Sequence, residues 1–149
     1  MSETTTPAAD DAAPPLLWAE RTGARTYTGR NARGASVLLG PEGEDGVFSP
    51  GELLAIAHAG CTGMSADSRI ASELGDDVDI TVGVTRHKQE GENRYGTLSV
   101  ELVVDASSLT PERRERLLVA AHKAVEKLCT VSRTLEAGAA VDLAITAEA

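Results

Sequence analysis

The side chains of this chain whose types and spacing can do chemistry are few: two cysteines, two neighbouring arginines and one carboxylate at a helix start. Cys61 closes the stretch SPGELLAIAHAGC (49–61), and Cys129 opens CTVSRTL. A cysteine attacks as thiolate, and at an unperturbed pKa of ~8.5 only about 3% of it is ionised at pH 7. Burial makes this worse, because desolvation favours the neutral thiol; a reactive Cys61 in an apolar run therefore requires a nearby cation. Lowering its pKa to about 6 takes roughly 3.4 kcal/mol of differential stabilisation, at about 1.36 kcal/mol per unit. One arginine in a desolvated pocket supplies energy of that order, whereas a surface lysine does not. Arg30 and Arg33, in the segment GRNARG, are the candidates. Glu52 is the acidic residue nearest Cys61 on its N-terminal side, and a carboxylate can hold such an arginine by a bidentate hydrogen bond.

Two working thiols without a metal or cofactor motif suggest peroxide chemistry. The first thiolate cleaves an O–O bond and becomes a sulfenic acid; the second thiol condenses with it to a disulfide and protects it from over-oxidation. A packing role stays open for both, because free cysteine is among the most buried residue types. His58, one turn before Cys61, can be imagined as a base or as half a metal site. No other ligands are suggested, so it reads as a satisfied helix histidine. Phe48, Met64 and His58 are the candidates for lining an apolar substrate pocket, although residues such as Phe48 and Met64 are more often plain core. His87 and His122 read as surface residues, and GRNARG taken alone fits a charged turn.

The elements that must position these groups belong to a chain of 149 residues, 42% hydrophobic and 25% charged, the make-up of one globular domain. With 23 acidic and 14 basic residues, the net charge of −9 argues against nucleic acid or an anionic membrane as the main partner. No run of 18 apolar residues is present, so no transmembrane helix is expected. The start, MSETTTPAADDAAPPLL, lacks the basic and apolar regions of a secretory signal, which makes a cytoplasmic location the default expectation. Two cysteines are too few for a disulfide scaffold, and without a CxxC neither a closed zinc site nor a cofactor is expected.

Residues 1–15 read as a disordered tail and 16–149 as a single domain. LLWAERT and ARTYTG suggest a hairpin split by Gly23, and ASVLLG a third strand. Ser49 as N-cap and Pro50 at the first helical position open a helix running to Leu74. Leu53, Ala57, Cys61 and Met64 share one of its faces; the others are nearly as apolar, the mark of a helix buried inside the protein or at a dimer interface. VDITVGV and LSVELVV alternate as strands, with Val78, Ile80, Val82 and Val84 matching Leu98, Val100, Leu102 and Val104. Thr110 and Pro111 start a second helix, VSRTLE forms a short third ending at Gly138, and AVDLAIT closes the chain as an alternating strand. The order βββ-α-ββ-α-α-β, with one wet sheet face, gives an α+β fold.

SPGELLAIAHAGCTGMSAD, followed by CTVSRTL, resembles the OsmC/Ohr family, the osmotically inducible and organic hydroperoxide resistance proteins; the resemblance runs from residue 18 to 147. It implies an intertwined homodimer in which antiparallel sheets wrap around long central helices, with active sites at the interface. It also implies reduction of organic hydroperoxides to alcohols, with a thiol reductant such as a lipoyl-type dithiol as the recycling partner. By motif, Cys61 is then the peroxidatic thiol and Cys129 the resolving one, and the catalytic arginine falls on Arg30 or Arg33, with Arg30 preferred. The departure is at the carboxylate. The family usually places glutamate directly after the proline, where this chain has Gly51, so only Glu52 remains, rotated by roughly 100° around a regular helix. Thr130 stands where proline is common. The rival expectation is a non-catalytic binding module of the same fold that sequesters an apolar ligand at the dimer interface; thiol transfer without peroxide is a third.

Overall fold

The computed structural model describes residues 16–149, so the tail expected over residues 1–15 lies outside the described residues. Two compact units are present, one ending at Leu53 and one beginning at Leu54.

In the first unit, β1 (Leu17–Gly23), β2 (Thr26–Asn31) and β3 (Ser36–Leu39) form an antiparallel sheet in that order. The expected hairpin is there, with Gly23 opposite Thr26, but the left-handed residue in its turn is Arg25 at φ 54°. Trp18 stands opposite Arg30 and Glu20 opposite Thr28, which puts Trp18, Glu20 and Arg30 on one face. The turn after β2 is built by Asn31, whose Oδ1 accepts the N–H groups of Arg33 (2.9 Å) and Ala35 (3.0 Å).

The long helix α1 (Pro50–Leu74) starts with a reciprocal cap. Ser49 Oγ accepts the Glu52 N–H at 3.0 Å, and Glu52 Oε1 accepts the Ser49 N–H at 2.9 Å. Two of the amide groups at the helix entry are thereby satisfied.

The second unit holds the rest of α1, the antiparallel pair β4 (Ile80–Lys88) and β5 (Tyr95–Val104), then α2 (Pro111–Leu128) and α3 (Thr130–Ala137). The alternation in the two strands is realised as pairs: Ile80 faces Val104, Val82 faces Leu102 and Val84 faces Val100. Of these, Ile80, Leu102 and Val104 pack against a core of Ala66, Ile70, Leu109 and Leu117. Thr110 caps α2 by accepting the Arg113 N–H, and Arg113 reaches Glu73 at 2.7 Å, pinning α2 to the last turn of α1. No described helix is long and apolar enough to cross a membrane.

Two expectations are corrected. The buried face of α1 is Ala55, His58, Ala59, Thr62, Ala66 and Ile70, whereas Met64, expected on the inner face, is 82% exposed. A helix apolar on every side has no periodic signal to select its inner face, so packing selects it. Here the narrow side chains face inward, and at Gly63 the helix comes so close to β4 that an added Cβ would lie 3.3 Å from Val82 Cγ2. Second, residues 139–149 form no strand, and Val141, Leu143 and Ile145 are each at least 84% exposed. Alternation makes a segment fit to be a strand, but the strand exists only once its N–H and C=O groups find a ladder.

Candidate active site

Both catalytic candidates of the second unit are held at one helix end. Cys129 is the residue between α2 and α3, extended at φ −74° and ψ 94°, and it caps both: its N–H donates to the Val125 carbonyl at 3.0 Å, and its Sγ accepts the Ser132 N–H at 3.4 Å. It is fully buried. Cys61, on α1, is half-buried, and both cysteines are free thiols.

Their acidities diverge. Burial pushes the Cys61 thiol up, but it is outweighed by the Val131 N–H, the Cys129 thiol, the Ser65 hydroxyl and the Thr130 N–H, which together hold Cys61 below its ordinary value. Burial also pushes Cys129 up, and there it prevails: the Ser132 N–H opposes it, while donating to Cys61 and facing its charge add to it. The same hydrogen bond therefore stabilises one sulfur as thiolate and the other as thiol. Ser65 has a single proton, which its 2.7 Å bond to the Cys61 carbonyl claims, so the main-chain amides of α3 are the firmer donors to the sulfur. The stabilising groups that sequence reasoning missed are thus peptide N–H groups at a helix N-terminus. Their signal was the position of Cys129 immediately before TVSRTLE, which makes it an N-cap.

Arg30 and Glu52 lie in the first unit. Glu20 is the carboxylate beside Arg30, with Oε2 3.5 Å from the guanidinium Nε, and its Oε1 accepts the Trp18 indole N–H at 2.6 Å. Glu20 escaped the sequence reading because its relation to Arg30 is a diagonal across two strands. Arg30, Trp18, Leu17, Val37, Leu39 and Leu53 line a largely apolar cleft of about 540 Å³. Arg33 is exposed in the following turn. Glu52 serves the cap of α1.

Of the pocket candidates, Met64 is exposed, and Phe48 is 42% exposed while its N–H and carbonyl pair with Leu38 and Gly40. His58 is buried, but it is not a satisfied helix histidine: its Nδ1 has no hydrogen-bond partner. Among the described residues, no group of three or more His, Cys, Asp and Glu side chains converges to hold a metal ion.

Comparison with known proteins places the fold. The family model described as OsmC-like protein matches residues 43–144. Uncharacterized proteins of Mycobacterium tuberculosis and Mycobacterium bovis are each 49% identical over 129 residues, covering 87% of this chain and 94% of theirs. Among solved structures, the organic hydroperoxide resistance protein OhrB of Bacillus subtilis is similar in fold. Its TM-score is 0.50 at 22% identity, over 82% of this chain and 91% of that one. An organic hydroperoxide resistance protein of Legionella pneumophila gives 0.53 at 22% identity, over 83% and 90%. The antiparallel sheets, the three helices and the match over most of the sequence agree: the chain belongs to the OsmC-like family.

Proposed function

We propose that the protein is a thiol peroxidase that reduces organic hydroperoxides to alcohols. The Cys61 thiolate attacks the distal peroxide oxygen, the O–O bond breaks, and the alkoxide leaves with a proton as alcohol, so that Cys61 becomes a sulfenic acid. Cys129 then condenses with it, forming the disulfide and releasing water. The observation that carries this reading is the hydrogen-bonded pair of thiols with opposed acidities, the attacking sulfur favoured as thiolate and the resolving one kept as thiol. That each thiol acts on the other's acidity supports their pairing as a disulfide.

To Arg30 we assign polarisation of the peroxide and further stabilisation of the thiolate; Arg30 is preferred to Arg33 because it lines a cleft while Arg33 sits in an exposed turn. The apolar walls of that cleft suit an alkyl tail, which supplies an orientation that hydrogen peroxide cannot. Glu20 supplies a carboxylate to the arginine where Gly51 offers none. We read the functional unit as a cytoplasmic homodimer. Leu54, Ile56 and Met64 on α1 and Leu118 and Val119 on α2 are exposed apolar side chains that a second copy would cover.

The test is Cys61→Ser: the variant consumes no alkyl hydroperoxide, whereas consumption at the parent rate rejects the assignment. The binding-module reading is favoured by the same apolar cleft. Tight binding of an alkyl ligand with both thiols inert to peroxide would select it.

A further inference from the structure

His58 is 8% exposed and its Nδ1 is sealed from solvent without a partner. The ring lines a cavity of about 350 Å³ with Tyr95, Leu98, Ser132, Leu135 and Glu136. An unpartnered imidazole facing a cavity calls for a ligand that exchanges a proton or a hydrogen bond with it.

We propose that this cavity binds the small thiol that reduces the Cys61–Cys129 disulfide, His58 Nε2 accepting its S–H proton as the sulfur attacks Cys129. The inference rests on the disulfide cycle proposed above. Its geometric basis is Ser132: the residue lines the cavity, and its N–H donates to Cys129 Sγ at 3.4 Å, so one residue of the cavity wall is hydrogen-bonded to the resolving sulfur. His58 is also one turn from Cys61 on α1.

The thiol sulfur bonds to Cys129 Sγ, the protein S–S bond breaks, and Cys61 departs as thiolate. Cys61 is the better leaving group because the α3 amides and the neighbouring groups stabilise its charge. A second thiol, or the second sulfur of a dithiol, then cleaves the mixed disulfide. Cys129 leaves and takes a proton, the reductant becomes a disulfide, and the remaining proton passes from His58 to solvent. Two electrons move from reductant to protein. Glu136 in the wall and the net charge of −9 favour neutral or amine-bearing thiols over carboxylate-bearing ones.

The test uses full-length protein oxidised with diamide and reduced by dithiothreitol in a stopped-flow instrument. A binding site makes the reduction rate saturate with dithiothreitol concentration. In His58→Gln, and in Thr97→Trp, which fills the cavity from an exposed rim position, the rate becomes linear in concentration and at least tenfold slower. A linear dependence in the parent, or parental rates in both variants, overturns the proposal. Because diamide forms the disulfide without peroxide, a saturable reduction in a chain inert to hydroperoxides keeps this site and rejects the peroxidase.

Discussion

Cys61 and Cys129 shift each other's acidity in opposite directions, Cys61 held below its ordinary value and Cys129 above it, while the Ser132 N–H in the first turn of α3 donates to Cys129 Sγ at 3.4 Å. Neither cysteine's acidity is therefore its own property. The arrangement supplies part of the stabilisation that a buried thiolate needs without any side-chain cation, since four N–H groups at a helix start have no partner within the helix.

The donors can be removed one at a time. Proline is tolerated in the first helical turn and lacks an N–H, so Val131→Pro raises the Cys61 pKa, and Thr130→Pro raises it less, in the order of their contributions. Cys129→Ala raises it as well. Because the thiolate is the reactive form, each variant moves the midpoint of Cys61 alkylation to higher pH and lowers the alkylation rate at pH 7. An unchanged profile in all three removes the helix N-terminus from the account.

Glu20 and the Ser49 cap separate in their effects. Glu20 holds Arg30 at 3.5 Å with both side chains substantially exposed, so Glu20→Gln leaves stability within about 1 kcal/mol. It lowers peroxide turnover by loosening the guanidinium. Ser49→Ala breaks the cap of α1 and costs about 1 kcal/mol in urea unfolding. Parental turnover in Glu20→Gln rejects its role.

Ile70 is 1% exposed in the core of Ala66, Leu109 and Leu117. Ile70→Ala removes most of a buried side chain and destabilises the protein by roughly 2–5 kcal/mol, read as a lower urea midpoint.

The exposed apolar positions test assembly. Met64→Lys places a charge at a position 82% exposed in one chain. It is harmless to a monomer and disruptive to a dimer that covers α1, so sedimentation velocity shows dissociation if the dimer reading holds and an unchanged mass if it does not.

Much of this was legible in the sequence because local rules decided it. Ser49 and Pro50, and Thr110 and Pro111, carry their own boundary signals, and the structure starts α1 and α2 there; the period-two pattern marks β4 and β5 themselves, although β4 begins at Ile80 and runs on to Lys88, and β5 begins already at Tyr95. The inner face of α1 was not legible, since Leu54, Ile56 and Met64 are as apolar as the residues that were buried and only the fit against β4 distinguishes them. The pairing of Glu20 with Arg30 depends on strand register, and the unpartnered nitrogen of His58 on what surrounds it in three dimensions. The C-terminal segment failed for a related reason: its alternation was real, but no pattern within a strand guarantees a neighbour to pair with.

The central claim is that Cys61 and Cys129 form a peroxide-driven disulfide. Intact mass and free-thiol content are measured before and after one equivalent of an alkyl hydroperoxide, such as tert-butyl hydroperoxide, is added to the reduced protein. The account predicts the loss of both thiols and of two hydrogens of mass, with no gain of oxygen. Two unreacted thiols after prolonged exposure would contradict it.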